Sequence, residues 1–272
     1  MKRTAPGAEM PFLDHLEELR WRLVRVLAAL AIGIGVGFAL ALSFHLIDVL
    51  AKPVTDVFPG HSLVYTHPID PINAYMTLSL AVGLILSSPV ILYQVWAFVA
   101  PALFPNEKRV AQQVLLGGLV LFLLGVAMSY FLVVPMTLRL GKALGGEALV
   151  PMLTISEYFS FITMLALTFG AAFELPILVM ALGALGIVTP PFLRKFRRHA
   201  FVACVIAAAV ITPGDAVSAT LFLMLPLYCL YELGILLAAR AYKWRQRRDA
   251  ADETPDDSAV DQSGGREVRG LA

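Results

Sequence analysis

Charged side chains are scarce in this sequence. Only 15% of its 272 residues are Asp, Glu, Lys or Arg and 58% are hydrophobic, and the mean hydropathy is +0.76. A water-soluble fold of this size could not bury so much apolar surface in one core. The composition therefore excludes a soluble protein and predicts a chain whose main solvent is a lipid bilayer. The net charge of +1 gives no indication of a nucleic-acid partner.

Cysteines and catalytic motifs are also lacking. The two cysteines, Cys204 and Cys229, lie inside apolar stretches, where free thiols usually act as small apolar side chains. Neither a disulfide framework nor a metal site is therefore indicated. The chain has no HExxH, GxSxG or CxxC pattern and no glycine-rich loop before a lysine. Nothing in the sequence indicates an enzyme or a cofactor.

Long apolar stretches, by contrast, predict an all-α membrane protein built as a bundle of six transmembrane helices. About 20 helical residues are needed to cross roughly 30 Å of hydrocarbon. The predicted spans are residues 23–43, 72–97, 110–136, 157–185, 199–211 and 216–238. The fifth has only about 13 residues, or about 20 Å of helix. We expect it to lie where the bilayer thins or where neighbouring helices shield its ends.

Basic residues are distributed unequally between the two sides of the predicted bundle. When alternate loops are assigned to opposite sides, one side receives only Lys52, Arg139 and Lys142, so that all but three of the 21 basic residues share the other. Loops rich in Lys and Arg stay in the cytoplasm. Both termini are therefore predicted to be cytoplasmic.

The chain ends and the first outer loop differ in composition from the spans. Residues 1–22 are predicted to be a cytoplasmic segment with an amphipathic helix, residues 23–240 the six-span bundle, and residues 241–272 a disordered cytoplasmic tail because of their polar composition. The loop 44–71 mixes apolar and polar residues. This pattern predicts amphipathic segments along the membrane surface, as an extracytoplasmic cap.

Two acidic residues in the predicted cytoplasmic segments have simple structural interpretations. Glu18 lies in the helix that leads into the first span, where an exposed i,i+4 pair with Arg22 is worth only about 0.2–0.5 kcal/mol. Glu107 lies at the polar tip of a stiff, proline-containing loop. It could be a helix-starting acid behind an Asn106 cap. Spacing alone favours these structural roles.

Glu174 differs from both, because it lies near the middle of the fourth predicted span. An ionised carboxylate there costs at least roughly 2.5–3.5 kcal/mol, which makes it a functional candidate. Pro176 removes a backbone hydrogen bond, so a kinked helix would present Glu174 to a groove. The structural alternative is a protonated Glu174 bonded to a freed carbonyl. A functional alternative is a proton-coupled small-molecule transporter that titrates Glu174, although the chain has no internal repeat.

Other residues are assigned structural roles. Gly33, Gly35 and Gly37 lie in the first span, where small residues permit close helix packing. Asp215 follows Thr-Pro-Gly and is a candidate N-cap of the sixth span. Glu232, near the cytoplasmic end of that span, could pair with a basic neighbour.

Five segments together resemble the TatC family, the polytopic receptor subunit of the twin-arginine protein translocase. Each is weak alone, but their order and spacing and the six-span topology make the resemblance specific from about Pro11 to Arg240. The segments are residues 15–20 (HLEELR), 88–98 (SPVILYQVWAF) with the loop onward to Arg109, 173–176 (FELP), 212–215 (TPGD) and 226–230 (PLYCL).

The resemblance implies a function and a set of site residues. It implies a receptor in the bacterial cytoplasmic membrane that binds twin-arginine signal peptides and exports folded proteins with the proton gradient, without ATP. Glu18 and Glu107 would receive the arginine pair. Arg20, Phe98 and Pro101 would shape the same patch. Two carboxylates suit two guanidiniums, because each pair can form a bidentate hydrogen bond that lysine cannot.

The resemblance also implies partners. Single-span subunits of the TatA and TatB type would dock at the edge formed by short fifth and sixth spans, and copies of this chain would associate within the complex. The candidate contacts at this edge are Thr212, Asp215 and Ser218. Ala219 stands where some relatives carry a polar amide, so this edge departs from the family pattern in detail.

Overall fold

The computed structural model describes residues 12–103, 108–146, 152–184, 186–211 and 217–252. These residues form eleven α-helices and one π-helical segment. They are α1 (Phe12–Ser43), α2 (Leu46–Leu50), α3 (Lys52–Val57), α4 (Asp70–Leu103), α5 (Lys108–Met128), the π-helical segment Ser129–Val133, α6 (Val134–Gly145), α7 (Ile155–Phe173), α8 (Leu175–Ala184), α9 (Pro190–Lys195), α10 (Arg197–Ile211) and α11 (Val217–Asp252).

The chain passes through the bundle six times, as predicted. Among the described residues, five helical stretches are long and apolar enough to cross a membrane. Helix α10 provides the other passage with only 15 residues, about 22 Å of helix, which confirms the short fifth span. The apolar stretch of α11, Leu223–Trp244, has 22 residues and is the shortest of those five.

The two ends of the bundle differ in structure and charge. One end carries α2 and α3, which lie against the tops of the long helices, and we call it the cap end. At the other end Trp96 of α4 and Trp244 of α11 belong to one apolar cluster, and α1 begins there. We call it the basic end, because the described chain places all its Lys and Arg there except Lys52, Arg139 and Lys142.

Glycines allow α1 and α4 to approach until their backbones touch. A Cβ added to Gly33 would lie 2.5 Å from the carbonyl oxygen of Gly83, and one added to Gly37 would lie 2.8 Å from that of Ser79. The close-packing role predicted for Gly33 and Gly37 is therefore confirmed. Gly35 has open space around it, so the prediction for this residue is wrong: on a helix, residue 35 points away from the face shared by 33 and 37.

Helix α7 supplies the centre of the core. Its side chains Phe159, Leu165 and Phe169 are at most 1% exposed. A Cβ on Gly125 of α5 would lie 2.6 Å from the carbonyl oxygen of Phe169, so α5 packs against α7 through backbone contact as well. The bundle is thus fixed from within by large aromatic side chains and by glycines that face them.

The predicted cap over one face is confirmed. Three side chains, from the π-helical segment, α7 and α6, each donate a hydrogen bond to a carbonyl at the end of a cap helix: Tyr130 to Val49 (3.2 Å), Tyr158 to Leu50 (2.8 Å) and Lys142 to Val57 (2.7 Å). Carbonyls at helix ends lack intrahelical donors. These bonds therefore satisfy groups that would otherwise need water at the membrane surface.

A second set of hydrogen bonds joins the two loops of the cap end. The Asp70 carboxylate accepts from the backbone N–H groups of Thr66 and His67, both at 2.9 Å, and from the Ser156 hydroxyl at 3.2 Å. Nearby, Val64 N–H donates to Leu153 O at 3.0 Å and Ile155 N–H donates to Val64 O at 2.8 Å. The first outer loop is thereby held against the start of α7.

One predicted boundary needs correction. Residues 241–252 were assigned to the disordered tail, but α11 continues as a helix to Asp252. The stretch contains no Gly or Pro and is rich in Ala, Arg, Lys and Gln, which are good helix formers. Its polarity predicts an exit from the membrane, whereas helix propensity predicts that the helix continues. Residues 253–272 lie outside the described part of the chain.

Candidate functional site

Glu18 holds a guanidinium at the basic end. Arg22 of the next turn donates to Glu18 Oε1 from Nε at 3.0 Å and from Nη2 at 2.5 Å, so the pair predicted from the i,i+4 spacing is present. The Arg22 side chain is only 16% exposed, whereas that of Glu18 is 39% exposed. The arginine is therefore covered by the bundle, while the carboxylate can be reached from outside.

Helix α4 forms the other side of this site. Arg22 Nη1 donates to Gln94 Oε1 at 3.5 Å, and Gln94 is buried. Phe98 follows Gln94 by four residues and therefore lies on the same face of α4, where it is half-buried. The contact of Arg22 with both Glu18 and Gln94 thus places Glu18 near the face of α4 that carries Phe98. Arg20 is exposed on α1, two residues from both Glu18 and Arg22 and therefore on a different face of the helix.

Gln94 and Arg22 were not predicted as functional residues. Gln94 lies in one of the segments that carry the family resemblance but received no role of its own. The signal that could have found it is an uncharged polar side chain among the apolar residues at the end of a span, since buried amides need hydrogen-bond partners. Arg22 was treated only as the surface partner of Glu18. Its burial and its bond to α4 show that it also joins two helices.

Several predicted site residues fall outside what the structure describes. Glu107, Thr212 and Asp215 lie outside the described residues. Pro101 and Ser218 lie within α4 and α11 respectively, but their side chains are not described. The chain joins Glu107 directly to Lys108, the first residue of α5, at the basic end.

Glu174 interrupts the fourth passage. Helix α7 ends at Phe173 and α8 begins at Leu175, so the predicted break before Pro176 is confirmed. The carboxylate lies against α5, where a Cβ on Gly118 would be 3.1 Å from Oε2 and 3.4 Å from Oε1. Oε1 is buried, and no hydrogen-bond partner for it exists among the described residues. The bond to a freed carbonyl, one of the two predicted possibilities, is therefore not seen in this part of the chain.

Glu232 pairs with a basic neighbour, as predicted. Arg197 Nη2, at the start of α10, donates to Glu232 Oε2 at 2.7 Å, and the Tyr228 hydroxyl donates to Oε1 at 3.1 Å. One turn of α11 after Tyr228, the Tyr231 hydroxyl donates to the carbonyl of Leu193 in α9 at 2.8 Å. These bonds connect α9, α10 and α11 at the basic end.

Comparison with known proteins identifies close relatives. The family model for "Sec-independent protein translocase protein (TatC)" matches residues 14–226. The chain is 39% identical over 234 residues to the Sec-independent protein translocase protein TatC of Aquifex aeolicus (strain VF5), an alignment that covers 85% of this chain and 96% of the relative. It is 36% identical over 251 residues to TatCy of Bacillus subtilis (strain 168), covering 90% and 94% respectively.

The fold has solved counterparts as well. A crystal structure described as the twin-arginine translocase receptor TatC matches with a TM-score of 0.73 at 39% identity, covering 84% of this chain and 99% of that one. A second, of the same receptor in the detergent DDM, matches with a TM-score of 0.74 and covers 82% and 99%. Both sequence and architecture are therefore shared over nearly the whole length of these relatives.

Proposed function

The chain belongs to the TatC family of Sec-independent protein translocase proteins, and from this premise we propose that it is the subunit that binds twin-arginine signal peptides and exports folded proteins. Its solved relatives are described as receptors of the twin-arginine translocase. The family relationship supports translocation and does not support the alternative, proton-coupled transport of a small molecule.

The observation that carries the proposal is the Glu18 carboxylate, which already binds a guanidinium. Two N–H groups of Arg22 approach one of its oxygens, a geometry that a planar guanidinium provides and an ammonium does not. The carboxylate is also partly exposed at the basic end. We infer that an arginine of the signal peptide binds Glu18 in the same way, beside or in place of Arg22.

Glu107 is the proposed second acid. It directly precedes Lys108, and Leu103 and Lys108 on either side of its loop both lie at the basic end. Only four residues separate Leu103 from Lys108 along the chain, and this short separation supports the proposal that Glu107 acts at the same end as Glu18. Arg20, Phe98 and Pro101 would complete the patch, with Phe98 on the face of α4 that carries Gln94.

Glu174 is the proposed polar group along the path of the apolar part of the signal peptide. A carboxylate without a hydrogen-bond donor among the described residues is costly in a membrane, and a functional role would account for it. If transport depends on proton exchange at this position, Glu174→Gln should alter the dependence of export on external pH. Unchanged export across that range would show that titration of Glu174 is not required.

The proposal includes an orientation and partners. Since basic loops remain in the cytoplasm, we assign the basic end and both termini to the cytoplasmic side of the bacterial inner membrane. We further propose that TatA- and TatB-type single-span subunits dock at the edge of α10 and α11 near Thr212, Asp215 and Ser218, and that several copies of this chain associate in the complex. Thiol crosslinking from Ser218→Cys to such a subunit tests the docking edge.

The decisive experiment is photocrosslinking of a twin-arginine signal peptide to the full chain in membranes. Glu18→Gln and Glu107→Gln should each reduce the crosslink strongly, because each removes a carboxylate that binds a guanidinium. Glu17→Gln is the matched control, since Glu17 is an exposed acid on the neighbouring position of α1. Crosslinking that persists in the double variant Glu18→Gln/Glu107→Gln would contradict the proposal.

A further inference from the structure

Basic side chains are rare at the cap end, and two of them share one cavity. These basic residues are Lys52, Arg139 and Lys142. The Lys142 ammonium donates to Val57 O at 2.7 Å and lies 5.8 Å from the centre of the Phe58 ring. Lys52 and Arg139 instead line a cavity of about 530 Å³ between α3 and the π-helical segment with α6. Two of the three basic side chains at the cap end thus line the same cavity.

Neither of these two cations is neutralised by the described part of the protein. Lys52 and Arg139 are exposed, and no described acid lies within 4 Å of either charged group. Asp56 also lines the cavity, one turn after Lys52 on the exposed face of α3, yet the two form no ion pair. The described residues that line the cavity therefore carry a net charge of about +1, from Lys52, Arg139 and Asp56, and offer two sets of N–H donors.

The remaining walls of the cavity are apolar and continue into the lipid-facing surface. Tyr130, Phe131, Leu132 and Pro135 line it, and Phe131 and Leu132 are 75% and 43% exposed respectively. Helix α3 buries Pro53, Val54 and Val57 against the bundle, so Lys52 and Asp56 lie on its outward face. A basic pocket beside exposed apolar side chains matches a phospholipid, whose charged head group adjoins its acyl chains.

We propose that this cavity binds the phosphate of an anionic glycerophospholipid in the leaflet at the cap end. Lys52 and Arg139 hold the phosphate from two sides, and Phe131 and Leu132 contact the first acyl carbons. Free inorganic phosphate would leave these apolar walls unused, which is why the site takes a lipid. The proposal needs only that the chain spans a membrane and does not depend on signal-peptide binding.

The test uses the full chain in phosphatidylcholine vesicles, with a fluorescent reporter at the site. Phe131→Trp introduces an indole at the cavity mouth. Its fluorescence is obtained by subtracting the fluorescence of the same chain without this substitution. Brominated phosphatidylglycerol should quench the indole fluorescence at a mole fraction roughly fivefold or more below the one that brominated phosphatidylcholine requires. The reason is that each basic residue near an anionic lipid surface strengthens binding by about a factor of five. Equal quenching by the two lipids would overturn the proposal.

Variants connect the preference to the two cations. The double variant Lys52→Gln/Arg139→Gln should lose the preference for phosphatidylglycerol, and each single variant should lose part of it, so the test survives if the double variant does not fold. Asp56→Asn should strengthen the preference. Lys142→Gln is the matched control on the same surface, because Lys142 does not line this cavity, and should keep the preference. Retention of the preference in a folded double variant would overturn the assignment.

A competition arm separates a lipid site from a site for free anions. Inorganic phosphate added to the vesicles should leave the phosphatidylglycerol preference as it is in chloride at equal ionic strength. If inorganic phosphate alone removes the preference, the cavity is a free-anion site and the lipid assignment is wrong.

Discussion

The two ends of the bundle are held together by different kinds of contact. From the middle of the membrane to the cap end, elements meet through backbone atoms: Gly33 against Gly83 O, Tyr158 on Leu50 O and Asp70 on the N–H groups of two loop residues. At the basic end of the described chain the contacts are mainly between side chains, in the Glu18–Arg22–Gln94 and Arg197–Glu232 groups. The bond from Tyr231 to Leu193 O is an exception there.

This difference suggests a division of roles. A contact with a backbone atom forms in one geometry only, and the backbone atom cannot be replaced by another partner. Such contacts are therefore suited to holding helices in fixed positions. An ion pair near water is worth little to stability and can be replaced by another pair of similar strength. We therefore expect substitutions that disturb these backbone contacts to affect folding, and substitutions at the side-chain contacts of the basic end to affect binding of the signal peptide.

The largest loss of stability is expected from Gly33→Leu. The new side chain would meet the α4 backbone, where even a Cβ is 2.5 Å from Gly83 O, and separating the helices should cost about 3 kcal/mol or more. Thermal unfolding in detergent measures this loss. Gly35→Leu, on the same helix but in open space, should cost less than about 1 kcal/mol. Similar losses for the two variants would remove the argument for backbone packing.

Asp70→Ala should rank second. It deprives two N–H groups and the Ser156 hydroxyl of a buried charged acceptor, which should cost about 2 kcal/mol. The same unfolding measurement applies, with hydrogen exchange of the Thr66 and His67 amides as a local readout. Asp48→Ala, at an exposed acid of the cap, should stay within about 0.5 kcal/mol of the parent. Unchanged amide protection in Asp70→Ala would contradict this role.

Tyr158→Phe should have a smaller effect of about 1 kcal/mol, the net value of one hydrogen bond to a helix-end carbonyl. The bond from Tyr130 to Val49 is longer, at 3.2 Å against 2.8 Å, so Tyr130→Phe should cost less. Thermal unfolding of both variants gives their losses of stability. Tyr65→Phe, at an exposed tyrosine, is the control measured beside them. A Tyr65→Phe loss as large as that of Tyr158→Phe would show that the hydroxyl bond is not the cause.

The smallest stability effect is expected at the basic end. Arg197 and Glu232 are 47% and 32% exposed, and partly exposed pairs contribute about 0–1 kcal/mol, less at high salt. A double-mutant cycle with Arg197→Gln and Glu232→Gln measures their coupling. A coupling above about 2 kcal/mol that salt does not weaken would break the contrast between the two ends.

The sequence predicts the positions of the helices better than the individual contacts that join them. Span positions follow from hydropathy because the thickness of the hydrocarbon sets helix length, and the break at Glu174 follows from Pro176. The bond between Tyr158 and Leu50 joins residues 108 positions apart, and no local pattern indicates such a pair. Gly33 and Gly35 look alike in the sequence, and only the direction of the α4 contact distinguishes them.

The candidate site shows the same limits. Glu18 was identified through family resemblance, because its spacing to Arg22 favours a surface pair that is in fact present. The additional bond from Arg22 to Gln94 depends on how α1 packs against α4. Periodicity cannot give that packing, since it depends on the glycines in both helices.

The central claim is that the Glu18 carboxylate binds an arginine of the signal peptide. A double-mutant cycle tests it directly: binding of a twin-arginine peptide, and of the same peptide with its arginines replaced by glutamine, is measured for the parent chain and for Glu18→Gln. We predict a coupling free energy of about 1.5–3 kcal/mol, as for hydrogen bonds to charged groups. Additive effects, with a coupling no larger than that of Glu17→Gln, would contradict the claim.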